Sequence, residues 1–187
     1  MFDRFIFAKW VLQERATIGL LDSRSFMIRF ANEDGLILAW SSAPRSRDGA
    51  RFLLFKWTYD FHMKHDPSKM AIWVSFPEPP LPFQNPSILC LLGNMVGWFL
   101  CTDSQTRALC HPISQRVCVE VDVSKPPVEA FWIAVGEEFH YKQNVIFESG
   151  SDYCSQCKLL GAQIGGLQAE GETPESHYRC LGGLGIG

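Results

Sequence analysis

The sequence predicts an α+β fold: a ferredoxin-like split βαβ unit with its first strand missing, then a mixed antiparallel α+β module, then a Cys/Gly-rich tail. Three observations predict it. Residues 1–58 run helix, strand, strand, helix, strand, the order of a split βαβ unit from its second element onward. Residues 71–148 alternate short apolar strands with one well-capped helix. After Glu148 the composition turns to Gly, Ser, Glu and Cys, which buries little surface by itself. The expected divisions are therefore 1–58, a polar connector at 59–70, 71–148, and a tail at 149–187.

The elements follow in order. Phe2, Phe5, Ile6, Trp10 and Leu12 recur at spacings near three and four, which predicts an amphipathic helix over about 3–13. Thr17–Leu21 and Ser25–Phe30 flank the polar Asp22-Ser23-Arg24 and predict a hairpin, with Phe26, Ile28 and Phe30 on one face and Met27 and Arg29 on the other. Asn32 is a good N-cap, Glu33 and Asp34 suit the positive end of a helix dipole, and Leu36, Ile37 and Trp40 supply the buried stripe. Pro44 to Ala50 is a polar loop and Phe52 to Trp57 an aromatic strand. The connector holds His62 and His65 beside Asp60 and Asp66, a solvated pattern to which no role is assigned.

In the second module Ala71–Phe76 alternates as a strand until the Pro77–Pro82 run stops it. Asn85-Pro86 is a cap followed by a first-turn proline, so 87–96 should be a helix burying Ile88, Leu89, Leu92 and Met95, with Gly97 as its stop. Trp98–Cys101 is a short strand. Arg116–Val123 is the clearest strand, with four valines directed to a core and Arg116, Cys118, Glu120 and Asp122 outward. Phe131–Val135 and Glu138–Phe147 complete an antiparallel set.

The chain has 187 residues, 47% hydrophobic and 20% charged, an ordinary globular composition that excludes a disordered or fibrous chain. A net charge of −3 argues against strong nonspecific polyanion binding, although residues 1–70 carry a net of +3 and 71–187 a net of −6. Met1–Trp10 lacks the uninterrupted apolar region of a signal peptide, and no apolar run approaches membrane-spanning length. The expectation is an intracellular protein of the nucleus or cytoplasm, without a membrane partner, whose seven cysteines are thiols or metal ligands. Cys90, Cys101, Cys110 and Cys118 stand singly and suit small buried hydrophobes.

Hydrolase elbow, phosphate-loop and zinc-protease motifs are all missing from the sequence, so no enzyme is expected. The metal-like signature is Cys154-Ser155-Gln156-Cys157, a spacing that lets two thiolates share one Zn²⁺. A retroviral-type knuckle would continue with His at position 162 and Cys at position 167; Ala162 and Leu167 stand there instead. His177 and Cys180 are the candidates for the missing pair in a ribbon-like arrangement. Phe26, Phe30, Phe52, Phe55 and Trp57 could stack on unpaired bases, as strand aromatics do in RNA-recognition folds, with Arg24, Arg29 and Lys56 against phosphates.

Several segments together resemble a known family: Gly19-Leu20-Leu21-Asp22 through Phe30, Phe55-Lys56-Trp57-Thr58, Trp73-Val74-Ser75-Phe76-Pro77, Arg116 through Pro126, and Tyr153-Cys154 with Cys157 and Gly161. The family is the plant domain of unknown function that precedes a CCHC zinc knuckle in LINE-type retroelement proteins and their host-encoded relatives. The resemblance runs from about residue 3 to Gly161. It implies a non-enzymatic, retroelement-derived protein that binds single-stranded RNA or DNA through its knuckle. The absent first strand and the incomplete knuckle depart from the family and suggest a truncated or decayed copy. The alternative is a protein-interaction or structural module, or an inactive transposon fragment, that binds no nucleic acid.

Overall fold

The structure is a computed structural model that describes residues 16–21, 25–41, 46–47, 50–59, 61, 65–108, 113–148, 153–154, 158–160 and 178–184, the backbone alone at 46–47, 50–52, 154, 159 and 178–184. The fold is mixed α+β. The chain divides into two compact units, Met1–Pro67 with Gln163–Gly187, and Ser68–Ala162. The break falls inside the expected connector, and residues 149–187, expected as one tail, are shared between the units. The helix expected at 3–13 lies outside the described residues.

In the first unit, β1 (Thr17–Leu20) and β2 (Ser25–Phe30) form the expected antiparallel hairpin, in register from Thr17↔Arg29 to Leu20↔Phe26. Ile28 and Phe30 are buried while Met27 and Arg29 are exposed, the two-residue alternation of a sheet with one covered face. Asn32 Oδ1 accepts the Gly35 N–H at 2.8 Å, capping α1 (Glu33–Ser41), which buries Leu36, Ala39 and Trp40. Trp40 Nε1 donates to the Leu54 carbonyl at 3.0 Å, fixing the helix to β4 (Ala50–Lys56). The stretch expected as a loop at 44–50 contains β3 (Ser46–Arg47), antiparallel to the start of β4.

The main departure is at the chain's far end. Tyr178–Leu184, expected as tail, is a strand, β13, in a sheet of order β1-β2-β13-β4-β3. It is parallel to both neighbours, with Cys180 opposite Phe26 on one side and Leu54 on the other. It holds the place between β2 and β4 where the sequence reading leaves a strand missing. The physical reason is that two neighbouring strands with bare ladder groups must be bridged by a third. A strand joined to β1 through a crossover helix would run parallel to β1; β13 runs the other way.

The second unit carries β5 (Lys69–Pro77), α2 (Pro86–Val96), β6 (Trp98–Thr102), a short α3 (Ser104–Arg107), β7 (Ser114–Asp122), β8 (Ala130–Val135), β9 (Phe139–Asn144) and β10 (Ile146–Phe147). Its sheet runs β10-β5-β7-β6, all antiparallel. Val117 and Val119 lie opposite Val74 and Ile72, all four buried, and Leu89 and Leu92 of α2 join them in the core. Asn85 caps α2 as expected, its Oδ1 accepting the Ser87 N–H at 2.9 Å. The segment expected as one strand over 138–147 is two: β9 pairs with β8 in a separate ribbon and β10 pairs with β5. Between them Val145 is buried and donates its N–H to the Glu129 carbonyl, which turns the chain.

Three expectations are revised. Cys118, set on the outward side of its strand by alternation, is fully buried, as expected of a single cysteine, because β7 is an interior strand and Cys118 lies between Trp73 and Cys101 on its neighbours. Met95 is exposed rather than buried, since α2 turns its Leu89, Leu92 and Gly93 side inward. Gly97 ends α2 in extended backbone instead of a left-handed cap, and its value is close approach to β7. At the edge strand β6, two backbone groups go to side chains instead of another strand: the Phe99 N–H to Asn94 Oδ1 and the Thr102 carbonyl to Arg107 Nη2, each at 3.0 Å.

Candidate functional site

The first unit places an exposed cation and two exposed aromatic rings in succession along the chain where β4 ends. Lys56 is the last residue of that strand and is exposed, as are Trp57 and Tyr59 just beyond it. The Trp57 and Tyr59 rings meet edge to face, centroids 5.1 Å apart at 67°. Tyr59 is 88% exposed, so nearly all of its ring is open to a planar ligand. Such a group offers a π surface for a base and a charge for the phosphate beside it. Lys56 and Trp57 were legible as candidates from the sequence. Tyr59 was missed because it opens the polar connector, and its only signal is an aromatic residue two positions after a strand tryptophan.

The other stacking candidates are core or half-buried. Phe30 and Phe55 are buried, Phe26 is half-buried, and the Phe52 side chain is outside the description. Arg29 is exposed on β2 with Thr17 opposite it, and among the described residues it forms no ion pair. Its face of the hairpin also carries Gly19, above which space is open. Lys56 shares a register row with Gly182 and Ile28, so strand alternation sets Lys56 and Arg29 on opposite faces of the sheet. Arg24 lies outside the described residues.

In the second unit the prominent cation is already engaged. Arg116 Nη1 meets Asp103 Oδ1 at 2.8 Å, its Nε meets the two Glu148 oxygens at 2.7 and 2.8 Å, and its guanidinium lies 4.0 Å over the Trp73 ring. Ser75 Oγ donates to the same Glu148 carboxylate at 2.7 Å. The hydrogen bond from Arg116, supported by the one from Ser75, holds the Glu148 carboxyl below its ordinary pKa, and the carboxylate in turn raises that of the guanidinium. Two carboxylates neutralise this arginine and a ring covers it, so it is a fastening between β5, β7 and the segment after β10, and not an anion site. Asp122 is likewise occupied: the Ser124 hydroxyl donates to it at 2.6 Å and lowers its pKa, closing the turn after β7.

Cys154 pairs with Leu159 in a hairpin of β11 (Tyr153–Cys154) and β12 (Leu159–Leu160), and Lys158, directly after Cys157, has a left-handed φ of 55°. Two cysteines separated by two residues have the spacing of a zinc half-site. Cys157 and His177 lie outside the described residues. Cys180 belongs to the other unit, in mid-strand on β13, where a ribbon would need a second turn. Among the described residues no group of three or more His, Cys, Asp or Glu side chains could hold a metal ion, and no helix is long and apolar enough to cross a membrane. A second exposed feature is apolar: Leu91 and Met95 on α2 and Trp98 on β6, beside an open cleft lined by Cys90, Asn94, Gly97, Trp98 and Phe99. Comparison of the chain with family models, curated proteins and solved structures gives no match in any of the three.

Proposed function

We propose that the protein is a non-enzymatic, retroelement-derived binder of single-stranded nucleic acid, whose first unit keeps a ferredoxin-like order of elements with β13, reversed in direction, in the place of the first strand. The observation that carries the reading is the exposed Trp57–Tyr59 ring pair next to Lys56. Unpaired bases stack on such rings with little regard to sequence, while the lysine contributes a salt-sensitive phosphate contact. Arg29, exposed on the other face of the same sheet, is a separate phosphate contact for a strand that passes the edge.

The test is an anisotropy titration with a labelled oligouridylate at several salt concentrations. Binding should weaken as salt rises. Tyr59→Ala should weaken it about 5- to 150-fold, the range for losing one stacked base. Lys56→Ala should lower the salt slope by about one. Zinc belongs to the same proposal, with Cys154 and Cys157 as its ligands. Metal content after purification should fall in Cys154→Ser, and equal zinc in both proteins would remove the metal.

Leu91, Met95 and Trp98 favour a second reading, a protein-interaction module, since three large apolar side chains exposed in one neighbourhood mark a contact surface. No oligonucleotide binding at any salt would leave that reading in place of the first.

A further inference from the structure

We propose that the slot between β2 and β4 is an exchangeable strand site, and that two copies of this chain trade their Tyr178–Leu184 strands to form a dimer. Remove β13 and the first unit's sheet falls into two hairpins, β1–β2 and β3–β4, each with a bare ladder edge. The slot therefore demands an occupant. The strand of known complementarity is β13 itself, which seats Arg179–Leu184 against β2 and Tyr178–Gly182 against β4. A second copy offers the same seven residues in the same registers, so the exchange gives up no pairing.

Three features make β13 suited to leave. Its main neighbours are β2, β4 and α1, all in one unit. It carries Gly182 and Gly183 side by side in a strand interior, where glycine contributes no packing, and both of its ladders are parallel. It is reached from β12 through 17 residues, 161–177, four of them glycine. Such a segment spans at most about 60 Å, enough to reach a neighbouring molecule. A connection of this kind holds its strand at an effective concentration on the order of millimolar, so copies compete for the slot as protein concentration approaches that value.

The experiment refolds the full chain at about 10 µM and at about 1 mM and measures molar mass by light scattering. In parallel, ¹⁵N-labelled wild type is refolded with unlabelled Phe26→Cys, and with unlabelled Leu54→Cys in a second series. After mild oxidation, mass spectrometry reads linkage of the introduced cysteine to Cys180, its register partner. The expected result is a dimer enriched at least tenfold at the higher concentration, with linkages that join labelled to unlabelled chains. Linkage within single chains only, with monomer mass at both concentrations, overturns the proposal. So does a failure of Cys180 to link in either series, because another segment then holds the slot. The wild-type mass measurement keeps the test decisive if either cysteine variant folds poorly.

Discussion

Gly97→Ala is expected to lower the stability of the second unit by about 3 kcal/mol, while Gly19→Ala changes that of the first unit, where it lies, by less than about 0.5 kcal/mol. A Cβ at Gly97 would collide with the Glu120 carbonyl oxygen, lie 2.8 Å from Val121 Cγ1 and 3.2 Å from the Glu120 carbonyl carbon. Two of these three are backbone atoms of β7, the interior strand, and they cannot rotate away. The start of β6 must then back off, which disrupts the Trp98↔Glu120 and Phe99↔Val119 pairs. Gly93 supplies an internal comparison: its Cβ would meet Phe99 Cδ2 at 2.8 Å, but that atom sits on a side chain that can shift. Gly93→Ala should therefore cost less, about 1 kcal/mol. Urea midpoints of the three variants check the order. A Gly97→Ala midpoint no lower than that of Gly93→Ala, in the same unit, would show that β6 does not approach β7 so closely.

The contrast between those glycines also marks how far the sequence can be read. Gly97 was legible as the end of a helix because Asn85-Pro86 and the apolar spacing fix where α2 lies. Its second role was not legible, since it depends on a strand almost twenty residues further on. The same divide runs through the molecule. The β1–β2 hairpin, the caps of α1 and α2, and the alternation in β5 are local patterns, and they stand where expected. Met95, and the outward side that alternation gave Cys118, were misassigned because burial is set by which elements flank a residue. β13 was illegible for the strongest form of that reason. Gly182 and Gly183 oppose a strand by propensity, and only the unmet ladders of β2 and β4 override it. In the candidate site, charge alone grouped Arg29 with Lys56, whereas register through β13 puts them on opposite faces. Trp57 was visible, and its partner Tyr59 became so only when the connector's first residue proved to be exposed beside it.

Arg116→Gln is expected to destabilise the second unit by about 2 to 3 kcal/mol at neutral pH, with a loss that shrinks in acid. The arginine ties together two carboxylates and a tryptophan ring that come from separated parts of the chain. Its side chain and those of Asp103 and Glu148 are 34%, 19% and 32% exposed, so water screens the pairs and the figure stays below that of a fully buried triad. The folded protein holds Glu148 below its ordinary pKa through the Arg116 hydrogen bond, and Asp122 through that of Ser124. In the unfolded chain both titrate near ordinary values, so the unfolded state binds more protons as pH falls. Stability from these groups is full above about pH 5 and is lost as pH drops through the folded pKa values. Arg116 stays charged throughout that range. Without it, Glu148 loses the interaction that lowers its pKa and lies near Asp103 with no cation between them, so protonation now relieves repulsion. Wild type should therefore lose stability as pH falls from about 5 through the lowered pKa values of these two carboxyls, and Arg116→Gln should lose much less, narrowing the gap. Parallel stability curves for the two proteins across that range would mean that Arg116 fastens the sheet by packing on Trp73 and not by charge.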